Sequence, residues 1–279
     1  MTDTAEFEIS VRDDATQADR ENAERSVAAL VARSVSAVAQ ERAAEADLAE
    51  LTDPLRRPFM KLIQEAPPSP ETLEKLRTHQ LMQAYKMDAL EQAPFTGTYD
   101  ALVPQDVLSN TRSLGFVPPY DFSWAWHDGS GHPPFNQVLD RPSGSVGLDA
   151  RSGSLPGGAS GFINAHVGFG VFLRSDTTGQ RFPHAVLNPG RFSFAARAVG
   201  VGSNATTEGG FELTVFEDGQ FLTGASRRLW RARVSGSVFD PDESTSGSQG
   251  PQVMAGPELA FTIKARSWVY IQRGHLGVQ

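Results

Sequence analysis

Six residues near the middle of the chain, His127-Asp128-Gly129-Ser130-Gly131-His132, set two imidazoles beside a carboxylate on glycine-rich backbone. Neutral imidazole and carboxylate are zinc ligands, and a catalytic zinc takes three protein ligands and keeps one position open. The same trio could move protons, because imidazole titrates near neutral pH. The spacing fits no strong metal motif. A polar loop between a strand and the following Pro133-Pro134-Phe135 has this composition too, and a solvated loop is the favoured expectation.

Two sets of side chains have the chemistry of binding rather than catalysis. Arg227, Arg231 and Arg233 fall on one face of a predicted strand, and Arg191 and Arg197 on one face of another. If those strands are neighbours, the guanidinium groups form a patch suited to phosphate or carboxylate. The plainer expectation is a solvated face with cross-strand ion pairs. Trp268 and Tyr270 alternate with Val269 and Ile271. With the aliphatic pair in the core, the two aromatics stand outward as a stacking surface for a sugar; with the opposite parity they are core residues. Trp268, Tyr270, Arg231 and Arg233 are accordingly the candidate ligand-binding residues, and carbohydrate the candidate ligand.

No catalytic nucleophile is marked. Ser152, Ser154 and Ser160 lie in glycine-rich sequence but not in a G-x-S-x-G elbow. Gly168-Phe169-Gly170 and Val199-Gly200-Val201-Gly202 open no helix and carry no Lys-Ser or Lys-Thr, so they are not phosphate loops. No cofactor motif appears. The chain has no cysteine, which excludes disulfides, thiolate nucleophiles and cysteine-ligated metal. Its net charge of −8 argues against general nucleic-acid binding, which depends on neutralising phosphates.

The elements that must position these residues divide sharply. All 26 glycines lie at or beyond Gly97. Glycine is costly inside helices and useful in turns, so the early chain reads as helix and the rest as strand and turn. Residues 1–93 carry 18 acidic and 11 basic side chains, net −7, which leaves −1 for the remainder. The expected fold is α+β. An acidic helical region over residues 1–115 precedes an antiparallel β-sandwich or jelly roll of about eight strands over 116–279.

Within the first region, Phe7, Ile9 and Val11 alternate with Glu8 and Ser10 as a short amphipathic strand, expected at an edge of the later sheet or on another subunit. Asp13 and Asp14 are candidate caps for one long helix over about 15–51. Its narrow seam repeats every seven residues as Leu30, Ala37, Ala44 and Leu51, flanked by Val27, Val31, Ser34, Val38 and Leu48. Asp53-Pro54 is expected to end it. Ser69 and Pro70 open a second helix reaching about Gln92, and a last turn is expected over 105–111.

Pro118 and Pro119 mark the change of architecture. Tyr120, Phe122, Trp124 and Trp126 then occupy one face of a strand, most simply as core and otherwise as a stacking platform. In the strand at 163–173, Ile163, Ala165, Val167, Phe169, Val171 and Leu173 share one face; Phe162, Asn164, His166, Gly168, Gly170 and Phe172 share the other. The two glycines leave bare backbone, and cover by the chain's own helix is the favoured explanation. Asp218-Gly219 is a two-residue hairpin turn. Residues 240–252 are expected to be a polar loop.

The leading functional expectation is a non-enzymatic binding or assembly module: helices that make a homo-oligomer or meet a protein partner, and a sandwich that presents a face or loops. A toxin-like protein whose helices rearrange at a membrane is the first alternative, and a metal-dependent enzyme using His127, Asp128 and His132 the second. No secretion signal and no apolar run of membrane-spanning length occurs. That fits a cytoplasmic protein or one exported by a signal-less route.

Overall fold

The computed structural model describes residues 7–65, 69–71, 75, 115–129, 135–153, 161–199, 203–236, 242–265 and 268–273. The expected helix over 70–92, the turn over 105–111 and the division near residue 115 lie wholly or largely outside them. The described elements are one long helix and twelve strands, every strand pair antiparallel.

The strand predicted at the N-terminus forms as β1 (Phe7–Val11). It lies at the edge of a sheet, on β2 (Phe122–Gly129), with Phe7, Ile9 and Val11 opposite Trp126, Trp124 and Phe122. Arg12 ties its end by an ion pair of 3.0 Å to Asp121. Three further strands take part: β5 (Ile163–Arg174), β8 (Asn204–Glu217) and β9 (Gln220–Ser235). With the last strand, β12 (Trp268–Arg273), they make a six-stranded sheet ordered β1-β2-β5-β12-β8-β9. The Asp218-Gly219 turn forms as expected, both residues at positive φ between the paired Glu217 and Gln220.

Two-stranded ribbons complete the body: β3 (Phe135–Asp140) with β4 (Ser145–Ala150), and β6 (Gly179–Arg181) with β11 (Phe261–Ile263). The third pairs β7 (His184–Val199) with β10 (Asp242–Glu258). Residues 242–252 are therefore a strand, not the polar loop expected from composition. Their serines and glycines carry little strand propensity, and the ladder to β7 supplies what the side chains do not. The longer ladders and three separate ribbons replace the expected eight-stranded jelly roll.

The helix α1 (Gln17–Glu65) is capped by Thr16, not by Asp13 or Asp14. Thr16 Oγ1 accepts from the Asp19 backbone N–H at 3.2 Å, and the Asp19 carboxylate accepts from the Thr16 N–H at 3.1 Å. This reciprocal pair is a capping box. Nor does the helix stop at Asp53-Pro54: it runs through Pro54 and Pro58. A proline keeps a helical φ and forfeits one N–H bond. Leu55, Arg56 and Arg57, good helix formers, carry the helix on.

The six-stranded sheet is covered on both faces. On one, Phe169, Val171, Leu213 and Val215 meet Tyr120, Leu259, Phe261 and Ile263 in a core that the β3–β4 ribbon helps to close. On the other, Phe122, Trp124, Trp126 and Phe216 meet Ala23, Val27, Leu30 and Val31 of α1. Phe122, Trp124 and Trp126 are thus core, covered by a helix instead of a second sheet, while Tyr120, expected on the same face, precedes β2 and packs in the opposite core against Phe169. The glycine-marked face of β5 lies beneath the same helix, since Gly168 pairs with Trp124 and Gly170 with Phe122.

Candidate functional site

The polar groups at the helix–sheet contact follow from where α1 crosses the sheet. Ser26 is fully buried and donates to the Asn22 carbonyl at 2.8 Å, which satisfies its hydroxyl within the helix. On the sheet side, His166 and Asn164 share a hydrogen bond of 2.7 Å. The His166 ring packs against Trp126, centroids 5.0 Å apart, and against Trp124 at 6.4 Å. Both indole N–H groups are buried and find no hydrogen-bond partner among the described residues, an unfavourable arrangement that the large buried ring area offsets.

Two guanidinium groups fasten the helix from above. Arg33 sits 3.4 Å from the centre of the Phe221 ring, and Arg42 4.2 Å from that of Phe162. Such contacts give about 0.5–2 kcal/mol each. Glu212, on the same face of β8 as Thr214 and Phe216, has its carboxyl pKa raised by burial; the Arg33 charge opposes the shift.

Among the described residues, the later positions of the helix stripe are exposed. Val27, Leu30 and Val31 are buried, but Ala37 and Ala44 are exposed and Leu51 is 71% exposed, although all lie on the same heptad stripe. Forty-nine helical residues span about 73 Å at about 1.5 Å each. Six strands spaced about 4.8 Å apart span only about 24 Å between the outermost axes.

Of the candidate binding residues, Arg231 and Arg233 share one face of β9, opposite Glu208 and Thr206. Arg231 and Arg227 lie on opposite faces, because the register slips at Gly209/Gly210 and inserts one residue of β9 between Arg228 and Trp230. Arg227 reaches the Ala255 carbonyl of β10 at 2.8 Å, whereas Arg231 lies 3.9 Å from Glu41 of α1 and 3.7 Å from Glu208. Alternation without the bulge put these arginines on one face. Arg233 is exposed and pairs with Thr206. Arg197 makes a two-pronged ion pair with Asp242, at 2.7 and 2.5 Å, so the β7 arginine serves its own ribbon. Tyr270 takes a register position between Phe172 and Phe216, and Trp268 stands opposite Arg174.

His127 and Asp128 belong to strand β2, opposite Ala165 and Asn164, and not to a loop; His132 lies outside the described residues. The ladder to β5 extends the strand past the point where glycine suggested a turn. Among the described residues no three His, Asp or Glu side chains cluster closely enough to hold a metal ion. Nor is any described helix long and apolar enough to cross a membrane.

A groove of about 590 Å³ went unnoticed in the sequence. It lies beside β1 on the face away from α1, lined by Glu8, Ser10, Ser123, Gln137, Asp140 and Arg141, with Leu139 and Pro142 adding apolar surface. Its residues come from β1, β2, β3 and the β3–β4 turn, more than a hundred positions apart, and no local pattern connects them.

Comparison of the chain with protein-family models, with curated proteins and with solved structures finds no match in any of the three.

Proposed function

We propose that this protein is a non-enzymatic binding and assembly module, in which the first half of α1 completes the strand body and the second half joins copies of the chain. The observation that carries this reading is the change in burial along one stripe. Val27, Leu30 and Val31 are buried on the sheet, and Ala37, Ala44 and Leu51 continue the same seven-residue repeat into solvent. A helix that leaves its body needs a partner, because isolated helices are marginal in water and gain most of their stability by burying an amphipathic face. A repeat of alanine and leucine at seven-residue spacing suits close approach of an identical helix.

The absence of cysteine makes the test direct. A Leu51→Cys chain, oxidised at micromolar concentration, forms a disulfide-linked dimer rapidly. A Val138→Cys chain, substituted at an exposed site on β3, does so slowly or not at all. Equal rates for the two would remove the assembly reading.

A further inference from the structure

The groove beside β1 goes beyond the assembly reading and stands on separate observations. We infer that it is a binding site for a neutral saccharide. Its volume, about 590 Å³, falls within the range of ordinary small-molecule sites, about 300–1,000 Å³.

Two of its polar groups lack partners that the fold itself could have supplied. Ser123 is only 3% exposed, lines the groove, and makes no hydrogen bond with another described residue. The Gln137 side-chain amide donates to Glu8 Oε2 at 3.0 Å, while its carbonyl Oε1 is buried with no partner among the described residues. A buried polar atom such as Gln137 Oε1 is rarely left so, since it costs its full desolvation penalty. A ligand that donates to Gln137 removes that cost, and the same ligand can accept from the Ser123 hydroxyl.

The remaining lining selects the chemistry of that ligand. Glu8 and Asp140 offer carboxylate acceptors; Asp140 already accepts from Ser143 Oγ at 2.6 Å and keeps further acceptor capacity. Arg141 spends one N–H on the Tyr120 carbonyl, at 2.7 Å, which fixes the guanidinium and leaves its other N–H groups. Ser10, opposite Ser123 in the ladder, adds a second hydroxyl. Two carboxylates against one guanidinium disfavour an anion. Donors and acceptors interleaved over a short distance match a molecule whose every hydroxyl does both. Leu139 and Pro142 supply the apolar patch on which the C–H face of a sugar ring can rest.

The test is saturation-transfer NMR on the full chain with neutral hexoses, pentoses and their disaccharides, and with uronic and sialic acids as anionic counterparts. The expected result is transfer to at least one neutral sugar. Ser123→Ala and Asp140→Asn, both small changes, should each weaken its binding by about tenfold, the loss of one neutral hydrogen bond for the serine and one charge-assisted bond for the aspartate, with the melting temperature kept. No transfer to any neutral sugar at millimolar concentration overturns the inference. So does transfer that survives both substitutions, or equal transfer to the anionic sugars. A Leu51→Lys chain keeps the sugar site whatever its state of association, so failure of the assembly reading and failure of this one are read separately.

Discussion

The ring of Phe122 occupies the space that a side chain on Gly170 would need: a Cβ built there would meet the ring at 1.9 Å. The two residues face each other across the β2–β5 ladder, under the helix, and Phe122 is fully buried. The ring has no open side to swing toward. Gly170→Ala should therefore destabilise the fold by about 1–3 kcal/mol, the usual cost of overpacking a filled core. Chemical denaturation measures it. An unchanged midpoint would mean that α1 does not press the aromatic layer onto the sheet.

The two ends of the α1 stripe should respond in opposite ways to truncation. Leu30→Ala removes a buried side chain and should cost about 2–3 kcal/mol of folding stability. Leu51→Ala removes an exposed one and should leave the unfolding of the strand body within about 0.5 kcal/mol of the parent, while weakening association. Denaturation followed by tryptophan fluorescence separates the two, because Trp124 and Trp126 lie under the first half of the helix.

Glu212 gives a pH dependence whose sign can be worked out. Burial raises its carboxyl pKa in the folded protein, with Arg33 opposing. At low pH both folded and unfolded chains hold the proton, and the residue contributes nothing. As pH rises through the unfolded value and then the folded one, the unfolded chain releases its proton first, and stability falls. Glu212→Gln should thus raise the melting temperature at neutral pH and leave it unchanged in acid. An advantage confined to acid would reverse the assignment.

How much of this was legible beforehand depends on whether the signal was local. The strand at Phe7–Val11, the aromatic face of β2 and the Asp218-Gly219 turn rest on alternation or on two adjacent residues, and each forms where expected. Cover of Gly168 and Gly170 by the helix was also readable, because bare glycine on a strand needs something close above it. What failed depended on pairing. Residues 242–252 lack strand propensity and take strand form from β7. The bulge in β9 reverses the parity that would have grouped Arg227 with Arg231. The groove draws on residues from Glu8 to Pro142, and only the folded sheet edge brings them together.

The central claim is that the exposed stripe in the second half of α1 joins copies of the chain, and light scattering on the full chain tests it most directly. The account predicts a defined oligomer at micromolar concentration that falls to the mass of a single chain in Ala44→Lys/Leu51→Lys, with the circular dichroism of the strand body unchanged. A single-chain mass for the parent protein across the whole concentration range would contradict it.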